Sequence, residues 1–449
     1  MGDDARKTRP AGVTPPEMIV PAGYVQAQRL VEGGAPLVFV SGNAGTGKTT
    51  LIHYLRDNIA LRNVVLAPTG VAALNAGGAT IHSFFRFPPR IQDPEQIRIP
   101  EDRRLYQRLE LVIIDEASML RADVLDSIDA FLRACNNDFS PFGGVQLLLL
   151  GDMFQLPPVV SAAERDMLED RGYRSPYFFS ALCLQDLEMA HVELDEIFRQ
   201  SDPEFISLLN RLRVAEDLQA VIGQLNRWCG DPGGDHDITL TCTNRAADTI
   251  NSEALALLAG EERVFLGEME GRFNLDGDRL PSPIELRLKP GARVMFTKND
   301  EEGRWVNGSL GVITWVAGDR IEVDVADTGV HEVPRATWQS FRYRLDRESD
   351  RIVAEEAGHY TQYPLMLAWA VTIHKSQGKT LGRVLVDFGS GAFAPGQAYV
   401  ALSRCRSLDG IGLARPLRAS DIRCDARIRR FHESLAAKEG GKGSMLDTA

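Results

Sequence analysis

Short, uninterrupted apolar runs recur along the first part of the chain: Leu37–Val40, Val64–Ala67, Leu111–Asp115 (ending in its acid) and Leu147–Leu150. Each is too short for a buried helix and lacks the alternation of a half-exposed strand. Each therefore predicts a strand covered on both faces. Helix-compatible stretches such as Thr50–Arg56 lie between them, so a parallel sheet with helices on both sides is expected. A second series, Ile238–Cys242, Val384–Asp387 and Ile411–Ala414, predicts a second α/β lobe. From about Ile284 to Trp338 the pattern becomes Val-, Ile-, Gly- and Thr-rich with turns such as Asn307-Gly308. This predicts a small all-β unit, a barrel, inserted into the second lobe. The stretch from Phe84 to Arg104 is aromatic, then proline-rich, then charged, and reads as a long surface loop or as a functional protrusion. Residues 1–17 and 433–449 are polar and predict disorder.

One turn carries specific chemistry. Residues 42–49 read Gly-Asn-Ala-Gly-Thr-Gly-Lys-Thr, between the first predicted strand and the first helical stretch. In that context G-x-x-x-x-G-K-[ST] is a phosphate-binding loop. Gly42, Gly45 and Gly47 let backbone N–H groups close around phosphate oxygens, and the helix N-terminus adds its positive end. Lys48 suits the β- and γ-phosphates, and the Thr49 hydroxyl suits Mg²⁺. Ala44, Thr46 and Thr50 complete the expected nucleotide-binding set.

Asp115 and Glu116 end a buried strand, where acids face the ligand crevice of an open α/β sheet. Asp115 is the candidate for Mg²⁺, through water, and Glu116 for polarising an attacking water. The plainer reading is a helix start with favourable acids. Gln155, after the strand Leu147–Leu150, is placed to sense a γ-phosphate, with Asp152 as a coupling group. Arg199 and Arg404 are candidates for stabilising the transition state, worth ~10³–10⁵ in rate where an arginine finger operates. In isolation each would read as a surface ion pair.

Composition narrows the class modestly. The chain has 449 residues, 44% hydrophobic and 25% charged, as expected of a globular protein of several domains. No apolar run is long enough to span a bilayer, and the first residues lack the order of a signal peptide. The six cysteines form no C-x-x-C pair, so a reducing, cytoplasmic setting is expected, and the absence of long extensions points to a bacterial or phage source. Net charge is −12, which argues against a protein that coats DNA but leaves a local basic groove open.

The ordered set of GNAGTGKTT, APTGVAALNAGGATIHSFF, LVIIDEASM, LLLLGDMFQLPPV, LDEIFRQ, LTCTNRAADTIN, MLAWAVTIHKSQGKTL and GQAYVALSRCRSLDGI resembles the superfamily 1 helicases. It is most similar to the PIF-type (petite integration frequency) DNA helicases, relatives of RecD in the 5′-to-3′ branch, over about residues 20–425. Trp305-Val-Asn-Gly-Ser-Leu-Gly311 resembles the family's turn in the inserted barrel, and Glu116–Leu120 through Ile128–Leu132 its signature segment.

The resemblance implies α/β architecture: two RecA-like P-loop lobes, at 18–196 and at 197–283 with 359–432. A wedge insert at 84–104 and an SH3-like β insert at 284–358 complete it. It implies ATP and Mg²⁺ as cofactors. Thr69, Gly70, His82, Ser83, Phe84, Thr372, His374, Lys375, Ser376 and Gln377 would lie along a single-stranded DNA path. Hydroxyl, imidazole and ammonium donors suit phosphates, and aromatics suit base stacking. Against stacking stands a core role for Phe84, Phe85 and Trp369, which is favoured for Trp369. Gln26 or Gln28 would contact adenine.

The implied activity is ATP-driven 5′-to-3′ unwinding of duplex, forked or structured DNA by a monomer or weak dimer, with no membrane partner. It would serve replication, repair, recombination or telomere maintenance. A RecD-like subunit of a recombination complex and an ATP-gated DNA-binding switch are the alternatives.

Overall fold

The computed structural model describes residues 20–446 except 201, 230–235, 274, 276, 327, 347, 349 and 350. The expectation for residues 1–17 thus lies outside the described residues.

The first lobe begins with α1 (Ala22–Glu32), β1 (Leu37–Gly42), α2 (Lys48–Asn58), β2 (Asn63–Ala67), α3 (Gly70–Ala76), β3 (Ala79–Thr80) and α4 (Ile81–Phe85). It continues with α5 (Arg104–Gln107), β4 (Leu111–Ile114), α6 (Ala122–Asn136), β5 (Gln146–Gly151), α7 (Ala162–Asp170) and β6 (Ala190–Leu194). Its strands pair in parallel in the order β3-β2-β4-β5-β1-β6. The predicted runs are buried on both faces, which is why they read as continuous apolar segments.

The second lobe holds α8 (Pro203–Val214), α9 (Leu218–Trp228), β7 (Ile238–Thr241) and α10 (Asn244–Leu257). The chain then leaves for β material before returning. Strands β8 (Arg263–Leu266) and β10 (Glu285–Leu288) pair with each other, and β9 (Glu268–Gly271) joins a long ribbon described below. Strands β11 (Arg293–Phe296), β12 (Leu310–Ala317), β13 (Arg320–Val325) and β14 (Gly329–Glu332) form an antiparallel sheet that β17 (Leu365–Leu367) completes. This sheet and the β8/β10 pair share one core, with Phe265, Leu286, Phe296, Ile313 and Tyr363 inside. Strands β15 (Ala336–Asp346) and β16 (Arg351–Gln362) form the ribbon. The lobe closes with β18 (Ala370–Thr372), β19 (Val384–Asp387), α11 (Gln397–Leu402) and β20 (Ile411–Leu413), in the parallel order β18-β7-β19-β20. Helix α12 (Ala426–Leu446) ends the described chain.

Three expectations need correction. The β-rich insertion runs from Arg263 to Leu367 rather than over 284–358, and its ribbon reaches the first lobe. There the Tyr343 hydroxyl donates to the Val65 carbonyl at 3.2 Å and accepts from the Val65 N–H at 3.0 Å, satisfying an edge that two-residue β3 leaves open. The aromatic start of the 84–104 segment does not protrude: Phe84, Phe85 and Phe87 join Tyr106 and Phe131 in the first lobe's core. The tail expected to be disordered from 433 is helical through 446. Ile428 and Leu435 of α12 are buried in the first lobe's core, and Phe431 stacks on Phe179 at 4.3 Å.

Candidate nucleotide site and nucleic-acid path

The phosphate loop leaves β1 and enters α2 with Gly45 and Gly47 at positive φ (86° and 80°). A Cβ on Gly45 would meet the Arg199 Cβ at 2.6 Å, and one on Gly47 the Tyr24 hydroxyl at 2.5 Å. Glycine is thus required for both conformation and close approach. The Tyr24 hydroxyl donates to the Gly47 carbonyl at 2.7 Å, and the Ala44 N–H donates to the Tyr399 hydroxyl at 3.1 Å. The loop is therefore gripped from α1 on one side and from the second lobe's α11 on the other. Lys48 Nζ donates to the Gly42 and Asn43 carbonyls at 2.8 Å each. Burial pushes its ammonium below the ordinary lysine range, while Asp152, Glu116 and Asp115 pull the other way. Thr46 bonds the Asn43 carbonyl, and Thr49 and Thr50 are exposed on the first turn of α2.

Asp115 and Glu116 follow β4 directly. The Glu116 N–H donates to Asp115 Oδ1 at 2.8 Å, with Glu116 itself at φ 54°. Burial first, then the Asp115 charge, pushes the Glu116 carboxyl up to about 7, and burial also raises Asp115. Gln155 Nε2 donates to Asp152 Oδ2 at 3.2 Å. Burial alone would raise Asp152, but the Arg213 and Lys48 charges overcome it and hold this carboxyl below its usual range.

Both arginines reach this cluster. Arg199 Nη2 donates to the Gly378 carbonyl at 3.1 Å, while its Nη1 is buried without a hydrogen-bond partner among the described residues. Arg404 is 1% exposed and donates to carbonyls of its own lobe, including Val400 at 2.8 Å. Burial and the nearby Arg199 charge bring it down to about 9. The expected nucleotide residues are thus together. Of the two glutamines, Gln28 is engaged with Tyr54 and Glu32, whereas Gln26 is exposed on α1.

The residues expected along the DNA divide differently. Thr69 caps α3, Gly70 lies under the Leu275 side chain, and Ser83 is in α4, which Thr80 caps. His82 and His374 are half-buried, and burial lowers both. Lys375, next to His374 in sequence, is half-buried as well. Four expectations are corrected. Phe84 is 6% exposed and packs edge-on against Phe85, Tyr106 and Tyr343, so it offers no face to a base. Thr372 and Ser376 are buried, their hydroxyls satisfied by the Lys375 N–H and the Ile373 carbonyl. Gln377 points to the nucleotide site, donating to Glu116 Oε2 at 3.1 Å and Gln155 Oε1 at 3.2 Å.

Sequence reasoning missed Tyr24, Tyr399 and Arg213. Arg213 of α8 pairs with Asp152 at 3.0 Å and lies over the Phe154 ring at 4.4 Å, linking the lobes beside the site. Nothing in their local spacing marks them, because each acts across the boundary between distant segments.

The fold and loop define a two-lobed, RecA-like P-loop protein. The model of the PIF1-like helicase family matches residues 25–215. The chain is 34% identical to the mouse ATP-dependent DNA helicase PIF1, over 92% of this chain and 62% of that protein. It therefore spans under two thirds of that relative's length. It is 35% identical to the Bdellovibrio bacteriovorus ATP-dependent DNA helicase Pif1, over 84% of this chain and 83% of that one. Bacteroides Pif1 in complex with ADP-AlF4 superposes with a TM-score of 0.87 at 36% identity, over 94% of this chain and 98% of that one. With single-stranded DNA bound, Bacteroides Pif1 scores 0.68 at the same identity and coverage. The chain belongs to the PIF1-like helicase family.

Proposed function

We propose that this chain is an ATP-dependent DNA helicase that moves 5′-to-3′ on single-stranded DNA and opens duplex or structured DNA. The observation that carries this reading is the meeting of both lobes at one carboxylate: Gln377 of the second lobe bonds Glu116 and Gln155 of the first. Hydrolysis at such a junction is coupled to lobe movement. The phosphate loop and Lys48 hold the triphosphate, and the Arg199 Nη1, with no partner among the described residues, fits a γ-phosphate oxygen. Glu116, with its carboxyl near 7, accepts the proton of the attacking water, which Gln155 orients. Arg404 and Arg199 offset charge in the transition state.

Mg²⁺ would be held by Thr49 and, through water, Asp115. Among the described residues no group of three His, Cys, Asp or Glu forms a metal cage, which suits an ion that keeps waters and phosphates as ligands. DNA is the partner, read through its backbone by Thr69, His82, Ser83, His374 and Lys375. Among the described residues no helix is long and apolar enough to cross a membrane. A pure ATP-gated switch has little need of this full hydrolytic set, and a RecD-like subunit would require a partner to unwind.

The test is ATP hydrolysis by the chain and by Lys48→Ala, with and without single-stranded DNA. DNA-stimulated turnover that Lys48→Ala abolishes, with DNA binding kept, supports the reading. Turnover surviving in Lys48→Ala removes the loop as the site.

A further inference from the structure

Three consecutive residues after β18 face different parts of the molecule. Gln377 donates to Glu116 and Gln155 as described. The Gly378 carbonyl accepts from Arg199, and the Lys379 carbonyl from Arg404 Nη1 at 3.4 Å. This short turn therefore touches four of the groups assigned to hydrolysis. The Lys379 side chain runs the other way: its Nζ donates to Asn307 Oδ1 at 2.5 Å.

Asn307 lies between β11 and β12 of the inserted β unit, in a turn that is tied down on every side. Its own N–H donates to Asn299 Oδ1 at 2.7 Å, the Gly308 N–H to the Phe296 carbonyl at 2.8 Å, and the Val306 N–H to Ser309 Oγ at 3.0 Å. Trp305 stacks on Phe296 with centroids 4.4 Å apart. Gly308 has φ 101°, and a Cβ there would sit 3.2 Å from the Lys379 Cβ. Glycine thus allows the turn to close on the lysine stem. A displacement of residue 379 would be passed on by this turn rather than absorbed.

The lysine is poorly accounted for by stability. Its ammonium bonds a neutral amide, and burial lowers it to about 8. Taking a charge out of water against an amide is a costly way to join two surfaces, and an apolar side chain of similar length would fill the space. What the amide bond supplies is direction: it fixes one turn to one point of the β unit.

We propose that the Lys379–Asn307 contact is the joint through which the nucleotide-facing turn moves the inserted β unit. Both are positioning residues for DNA-dependent turnover. When Glu116, Gln155 and Arg199 engage a triphosphate and water, their bonds to Gln377 and Gly378 exchange, the turn shifts, and Lys379 carries the shift to Asn307. The turn would then take two positions, biased by nucleotide at one end and by DNA held against the β unit at the other, as energetic coupling requires. The inference rests on the helicase reading.

The experiment measures hydrolysis by the full chain with and without single-stranded DNA for Lys379→Met, Asn307→Ala, Asn307→Asp and the Lys379→Met/Asn307→Ala pair. The DNA-free rates should stay within about twofold, while DNA stimulation falls about tenfold in either disruptive variant, within the range of measured coupling between sites. The pair should fall no further than either single variant, since one contact is being removed. Asn307→Asp, which keeps the acceptor, should retain stimulation. Unchanged stimulation in the single variants, multiplying losses in the pair, or a parallel fall in the DNA-free rate would each overturn the joint while leaving the helicase reading intact. A wild-type chain that DNA does not stimulate would overturn both.

Discussion

At the scale of single residues, Glu116 has the most distinctive environment. It sits at positive φ directly after Asp115, and burial with that neighbouring charge raises its carboxyl to about 7. A base must be ionised to take a proton, so the hydrolysis rate should rise with pH through about 7 and fall on acidification; a pH–rate profile under saturating ATP checks this. Stability should respond with the opposite sign. A carboxyl raised in the fold costs stability as pH climbs from its ordinary value through its folded one. Glu116→Gln should therefore abolish turnover, yet melt higher than the wild type at pH 8 and equally near pH 4. Lys48, Asp115 and Glu116 stand out in the sequence because phosphate chemistry favours those residue types at those spacings, and the structure gathers them at one place; Arg199 has no such spacing, and its proposed role comes from its place beside Gly45. Tyr24, Tyr399 and Arg213 were not, since their roles come from meeting the loop or Asp152 across long stretches of chain. Phe84 and Gln377 show the reverse error: their motifs suited DNA, but burial took the first and the nucleotide site took the second.

At the scale of elements, α6 explains the signature segment that follows Asp115 and Glu116. Asp123, Asp126 and Asp129 recur every three residues and share one buried face. Asp123 accepts from the Gln92 N–H, Asp126 from the Leu182 and Cys183 N–H groups, and Asp129 from the Phe142 N–H. The helix is a rack to which three loops are pinned, the 84–104 segment among them. Asp126→Ala leaves buried donors unpaired and should cost about 2 kcal/mol, seen as a lowered melting temperature or denaturant midpoint. Asp123→Ala frees the Gln92 loop; unwinding should fall while DNA-stimulated hydrolysis persists, and unchanged unwinding would take this loop away from the fork. The strands β1, β2, β4 and β5 were legible because full burial leaves apolar runs, whereas two-residue β3 and the partly exposed β6 left no such run. Helix α12 was missed although Ile428, Phe431 and Leu435 fall at helical spacing, because the glycine-rich residues after them dominated the composition.

At the scale of the molecule, two lobes share one site. Asp152–Arg213, Tyr399–Ala44 and Gln377–Glu116 all cross between them, so the site is complete only when the lobes are together. Removing Arg213 would strand a buried carboxylate at an estimated ~3–5 kcal/mol. The ribbon adds a second bridge, and Leu275 covers Gly70 on the expected DNA path. On the proposed DNA path, a strand reaching Gly70 would displace Leu275. The lower score against Bacteroides Pif1 with DNA bound, at unchanged identity, fits a rearrangement of whole bodies rather than a change of fold. Fluorophores at Arg98 of the first lobe and Arg344 of the ribbon, both exposed, should report a distance change when single-stranded DNA is added, and a constant distance would rule such a rearrangement out.

Directional, ATP-driven strand opening, the function proposed for this chain, is tested by following ATP hydrolysis and unwinding together on duplexes carrying either a 5′ or a 3′ single-stranded tail. DNA-stimulated hydrolysis with unwinding from the 5′-tailed duplex alone is the expected result. Hydrolysis without unwinding from either tail, or unwinding from the 3′ tail, would contradict it.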